Sequence, residues 1–98
     1  MEDIARILII EDEKKVAAFI QKGLEEHNFR VDIAHDGLTG KEKATKENYD
    51  LIILDIKLPL MDGFEVCNAI RKINHQVPIL MLTALGSLED KVKGFNYG

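Results

Sequence analysis

The chain predicts an α/β fold, a parallel sheet with helices on both faces, and three observations carry that prediction. Solid apolar runs recur along it: Arg6-Ile7-Leu8-Ile9-Ile10, Leu51-Ile52-Ile53-Leu54 and Val77-Pro78-Ile79-Leu80-Met81-Leu82. Each stops abruptly at a polar residue, Glu11, Asp55 and Thr83 in turn. The stretches between them space their apolar residues three or four apart, as amphipathic helices do.

Each element follows from its own residues. Continuous runs rich in Ile and Val are strands covered on both faces, and Arg6 to Ile10 is the first. Val16, Ile20 and Leu24, with Ala17 beside them, put one apolar stripe on a helix that His27-Asn28 ends, Asn being a common exit residue. Arg30-Val31-Asp32-Ile33-Ala34 alternates instead, which fits a strand near the edge of the sheet. From Gly37 to Asn48 the pattern is weaker: Leu38 and Ala44 are its apolar residues, and two glycines lower its helix propensity. A helix is still required there, because a structureless connection to the next strand would be too long. After Leu51 to Leu54, Asp62-Gly63 reads as a turn or cap, and Val66, Cys67, Ile70 and Ile73 form the next stripe. Val77 to Leu82 is the fourth strand; Ser87 then caps a helix carrying Leu88, Val92 and Phe95. The order is βαβαβαβα, with right-handed crossovers.

Composition narrows the class. Ninety-eight residues, 46% hydrophobic and 31% charged, make one folded domain over 1–98. The longest mostly apolar stretch, Val77 to Gly86, has ten residues, short of the roughly 18–20 that cross a bilayer. The start, Met-Glu-Asp-Ile, does not read as a secretory leader. One cysteine, Cys67, forms no internal disulfide, so a reducing, cytoplasmic setting is expected. The net charge of −4 and the lack of any Lys/Arg run argue against nucleic-acid contact by this domain.

In a parallel sheet the residues just past the strands share one edge, where ligands of open α/β sheets bind. This places Glu11, Asp12, Asp55 and Thr83 together, provided strands one and three are neighbours. Carboxylates forced together resist joint ionisation unless a cation neutralises them, and hard oxygen donors of this kind suit Mg²⁺. No Ser-His-Asp or Cys-His arrangement is present, and His27, His35 and His75 are placed at helix ends or loops away from the edge. Gly37 and Gly40 are spaced wrongly for a dinucleotide fingerprint. What remains is a carboxylate beside a divalent ion, able to attack a phosphoryl group and become an aspartyl phosphate. Asp55 is the candidate, being central and followed by a loop with Pro59 and Asp62-Gly63. Taken alone, each acid is an ordinary loop charge or helix cap; the coincidence at several strand ends is what points to a site. Cys67, Met61 and Met81 read as packing residues.

Three blocks, Ile7 to Glu13, Tyr49 to Gly63 and Val77 to Ala84, resemble the receiver domain of two-component response regulators over essentially the whole chain. The Glu11-Asp12-Glu13 block and the ending Gly-Phe-Asn-Tyr-Gly most resemble receivers of winged-helix transcription factors. The resemblance implies a flavodoxin-like strand order 2-1-3-4, with a fifth strand in a complete receiver. It implies that Asp55 accepts a phosphoryl group from the phosphohistidine of a sensor histidine kinase or from a small phosphodonor. Asp12, Asp55 and the Lys57 carbonyl would bind Mg²⁺ directly, with Glu11 acting through water. Thr83 would bond the phosphoryl oxygen and carry the switch, and Ala84 would keep access open. The output would be a DNA-binding transcriptional one; the domain modifies itself and is not a turnover enzyme.

Gly98 falls where a receiver would enter its fifth strand and helix, so the resemblance implies a receiver incomplete at its C-terminus. The Lys and the aromatic carried by those elements have no counterpart in 1–98. Strand four would then be a bare edge, and a homodimer through Val77 to Leu82 is expected. The competing readings are a phosphorylation-incompetent fragment or pure interaction module of the same fold, and a flavin or nucleotide binder. Glu11-Asp12-Glu13 repels phosphate where the latter needs a Ser-, Thr- or Gly-rich loop.

Overall fold

The structure, a computed structural model, describes residues 4–82. The elements are β1 (Arg6–Ile10), α1 (Lys14–Glu25), β2 (Arg30–Ala34), α2 (Gly37–Lys46), β3 (Leu51–Asp55), α3 (Gly63–Ile73) and β4 (Ile79–Leu82). All pairings are parallel and the order is β2-β1-β3-β4, the expected 2-1-3-4. The helix expected around Leu88, Val92 and Phe95 lies outside the described residues.

Strand side chains alternate between two cores, and this is why the apolar runs are unbroken. Ile7, Ile9, Val31 and Ile53 face the layer of α1, packing with Ala17, Ile20 and Leu24. Leu8, Ile10, Ile52 and Leu54 face the other layer, with Val66 and Ile70 of α3 and the half-buried Ala44 of α2. The alternating β2 takes an outer place in the described sheet, in keeping with its composition.

The helix ends follow their chemistry. Asn28 adopts φ 68°, and the Phe29 amide returns to the Leu24 carbonyl at 3.2 Å, an exit that Asn tolerates better than most residues. Asp36 and Asp62 cap α2 and α3, their carboxylates accepting from the Thr39 amide at 2.7 Å and the Glu65 amide at 3.0 Å. Asp62 is therefore the cap residue it was read to be, and the bond from the Glu65 amide lowers its pKa.

Three expectations change in detail. β4 begins at Ile79 and not at Val77; Pro78 has no N–H to donate, although its carbonyl still accepts from Ile52. Ile73, counted in the apolar stripe of α3, is 64% exposed at the last turn. In α2 the face toward the core is made by Ala44 and the glycines: Leu38 is 46% exposed, while Gly37 and Gly40 are buried. A Cβ at Gly40 would come within 2.6 Å of the Ile10 side chain. The residues that weaken this helix locally are the ones that let it approach β1.

Candidate functional site

The site is built where β1 and β3 end side by side. Ile10 pairs with Leu54, so Glu11 and Asp55 are next to each other on the carboxyl rim. Asp55 closes β3 opposite Leu82, and both acids are buried, Glu11 at 0% and Asp55 at 2% exposure. Asp12, one residue on, is exposed. One carboxylate oxygen from each of Glu11, Asp12 and Asp55 lies within 4.8 Å of the other two.

Local bonds hold the acids in place. The Glu11 amide donates to the Ala34 carbonyl at 2.9 Å, extending the β1–β2 ladder by a residue. Glu11 Oε2 accepts from the Glu13 amide at 2.9 Å, which turns the chain into α1. The Lys57 amide reaches Asp55 Oδ1 at 3.4 Å, so the peptide of Lys57 lies beside that carboxylate while its side chain is exposed. The Gly63 amide closes the loop on the Ile56 carbonyl at 2.7 Å, and a Cβ at Gly63 would collide with the Asp55 carbonyl. The Asp62-Gly63 pair thus brings α3 hard against the end of β3.

Two unit negative charges about 5 Å apart repel by on the order of 3 kcal/mol at an effective dielectric of ~20, so close carboxylates favour a cation between them. Their all-oxygen donor set and spacing fit a hard divalent ion, whose neighbouring ligands on an Mg²⁺ octahedron of radius about 2.1 Å stand roughly 3–4 Å apart.

The sequence-derived acids Glu11, Asp12 and Asp55 are thus brought together; Lys57 bonds Asp55 through its amide, a donor and not the carbonyl expected to hold the ion. Thr83 and Ala84 lie outside the described residues. His35 requires a correction. It was placed away from the carboxyl rim, yet it directly follows β2, and its ring Nδ1 lies 3.0 Å from the Glu11 carbonyl oxygen. The same rule that put Glu11 and Asp55 on that rim applies to the residue after β2.

Comparison with known proteins matches this arrangement to a family. The response regulator receiver domain model matches residues 7–98. The transcriptional regulatory protein CusR of Escherichia coli is 48% identical over 93 residues, covering 95% of this chain and 41% of CusR. The response regulator ArlR of Staphylococcus saprophyticus is 47% identical over 95 residues, covering 97% of this chain and 43% of ArlR. The chain therefore spans about two-fifths of the length of these curated relatives. Among solved structures, the response regulator TrrA of Thermotoga maritima, in complex with Mg²⁺-BeF, is 36% identical with a TM-score of 0.80, covering 85% of this chain and 72% of that one. A match running from the first strand to the last residue, on a sheet of the same build, leaves one assignment: the chain belongs to the family of response regulator receiver domains.

Proposed function

We propose that the chain, as one domain over residues 1–98, is a phosphoacceptor switch in which Asp55 takes a phosphoryl group from the phosphohistidine of a sensor histidine kinase. The observation that carries this reading is the meeting of Glu11, Asp12 and Asp55 within 4.8 Å, two of them buried. An Asp55 carboxylate oxygen attacks phosphorus, the P–N bond of the donor breaks, and the departing imidazole keeps the electron pair and takes a proton from water. Asp12, Asp55 and the Lys57 carbonyl would hold Mg²⁺, with Glu11 acting through water. When bound, the ion neutralises charge on the transferred phosphoryl oxygens. The Lys57 amide restrains rotation of the Asp55 carboxylate. Thr83 would contact the phosphoryl oxygen and Ala84 would leave room for it.

The reaction is stoichiometric self-modification and not turnover. A cytoplasmic setting goes with a phosphodonor made from ATP and with the lone Cys67. The name of CusR, a transcriptional regulatory protein, supports an output in transcription. A homodimer through Val77 to Leu82 goes with β4 lying outermost in the described strand order. Its test is size-exclusion at rising concentration.

The decisive experiment incubates the chain with acetyl phosphate and Mg²⁺ and follows intact mass. One added phosphoryl group, absent in Asp55→Asn and absent with EDTA, is expected. The TrrA complex makes beryllofluoride a second probe, expected to shift amide signals around Asp12, Asp55 and Lys57 only with Mg²⁺ present. An unmodified wild-type chain, or a modified Asp55→Asn, would overturn the reading.

A further inference from the structure

We propose that His35 is a positioning residue for the acidic rim: its ring holds the Glu11 carbonyl and thereby sets the direction in which Asp12 leaves β1. This rests on the reading of the rim as an Mg²⁺ and phosphoryl site. The Glu11 carbonyl oxygen can only accept, so the Nδ1 atom 3.0 Å away is the protonated ring nitrogen. That oxygen belongs to the peptide joining Glu11 to Asp12, and a bond to it fixes the plane of that peptide.

The reason for a side-chain donor lies in the ladder. β1 and β2 pair in register up to Ile10 opposite Ala34, and the Glu11 amide still reaches the Ala34 carbonyl at 2.9 Å. In a continued parallel ladder the Glu11 carbonyl would next receive the amide of residue 36. The chain turns away there: Asp36 is the cap of α2, its own carboxylate occupied by the Thr39 amide and hydroxyl. His35 fills the place of the departing backbone. Glu11 is then restrained at its amide by Ala34, at its carbonyl by His35 and at its carboxylate by the Glu13 amide. Asp12, exposed and without a strand of its own, inherits its direction from that restrained residue. The same segment reaches the other half of the site, since the Gly37 amide donates to the Pro59 carbonyl at 3.3 Å in the loop after Asp55. His35 to Gly37 thus tie the loop carrying Asp12 to the loop that follows Asp55.

The substitutions separate this from a general structural role. His35 is exposed, so replacing it leaves both cores untouched. Asn places an amide N–H where the imidazole Nδ1–H stands; Leu has nearly the same shape as Asn and no donor. Mg²⁺ alone is titrated into wild type, His35→Asn, His35→Leu and Asp12→Asn, following backbone amide shifts by NMR. Metal-free melting temperatures serve as the stability control. His35→Leu is expected to weaken Mg²⁺ binding by about three- to tenfold, the scale of one lost hydrogen bond, and His35→Asn to stay within about twofold of wild type. His35→Leu binding as tightly as wild type, or His35→Asn as weakly as His35→Leu, would overturn the positioning role while Asp12→Asn still loses the ion. A wild-type chain indifferent to Mg²⁺, or an Asp12→Asn variant that binds normally, would instead sink the reading of the site itself and this inference with it.

Discussion

The two rims of the sheet handle their acids in opposite ways. At the amino rim, acids converge on a cation. Arg6 Nη2 meets Asp32 Oδ2 at 3.1 Å and Glu47 Oε1 at 2.7 Å, and its guanidinium lies 4.9 Å from the centre of the Tyr49 ring. The Tyr49 hydroxyl donates to the same Asp32 oxygen at 2.8 Å, and the Arg6 amide donates to Asp50 at 2.8 Å. At the carboxyl rim, Glu11, Asp12 and Asp55 converge on one another. The first arrangement binds acids to a cation of the chain itself, although Arg6 Nε is buried without a partner among the described residues, and it serves stability; the second gathers carboxylate oxygens that fit the proposed divalent ion. The difference teaches where to look for function: in the acids whose carboxylate oxygens the fold brings within reach of one ion, as well as in the acids that it ties to Arg6.

The largest expected effect breaks the amino rim. Arg6→Met keeps the aliphatic stem and leaves Asp32 and Glu47 without their shared cation. The melting temperature should fall by about 5–10 °C, with Mg²⁺ binding at the far rim unchanged. Exposure of these ion pairs limits the loss, so most of it comes from the guanidinium's several partners acting together. A variant that also loses the ion would mean that the two rims are coupled.

The opposite sign is expected across the sheet. Asp55→Asn removes one charge from the buried cluster, and the metal-free melting temperature should rise by about 5 °C. The same variant should lose the stabilisation by Mg²⁺ that the proposed site predicts for wild type. Calorimetry with and without the ion reads both effects, and a fall in the metal-free protein would mean that the carboxylates are not strained by one another.

Tyr49 gives a smaller, pH-dependent version of the contrast. Its hydroxyl holds the Asp32 carboxyl below the usual carboxylate range, with Arg6 adding to the effect. Burial, then the bond to Asp32, pushes the Tyr49 hydroxyl well above its ordinary value. The depressed acid contributes stability that is present above pH about 4 and is lost as pH falls further. The raised phenol contributes stability that is full below pH about 10 and is lost as pH climbs past it. Tyr49→Phe should lower the melting temperature by about 4 °C near neutrality, and the gap should narrow at both extremes. A constant difference from pH 3 to 11 would show that the hydroxyl's partner is not the source.

Much of this was legible in the chain, and what was missed has a physical cause. Apolar runs covered on both faces announce themselves, so β1 and β3 and the acids at their ends could be read directly. Asp32 stands in the readable strand β2 and Tyr49 in the connection before β3, but their bond depends on how β2 sits against the approach to β3, which no local pattern encodes. The place of His35 on the rim follows from the strand-end rule, but its bond does not, since its partner is a backbone carbonyl beyond another strand and no residue type signals it. The glycines of α2 count against a helix until the neighbour they make room for is known; Gly40 against Ile10 is a tertiary fact that overrides a local preference.

Backbone strain divides between the rims as the charges do, and it supplies the smallest prediction. Two non-glycine residues among those described have positive φ: Asn28 at 68°, in the turn leading to β2 at the amino rim, and Leu60 at 70°, in the loop after Asp55. Asn visits this region readily because its side chain is short and polar, whereas Leu does so at a cost of roughly 1–2 kcal/mol. Leu60 is also 79% exposed, so its side chain recovers little through burial. Leu60→Gly removes the strain but gives the unfolded chain more freedom, a loss of about 0.4–1 kcal/mol. The net should be a rise of about 2 °C in melting temperature, against almost no change for Asn28→Gly. A clear fall in Leu60→Gly would mean that this loop owes its shape to the Leu60 side chain, and that the carboxyl rim holds it there against the preference of its own backbone.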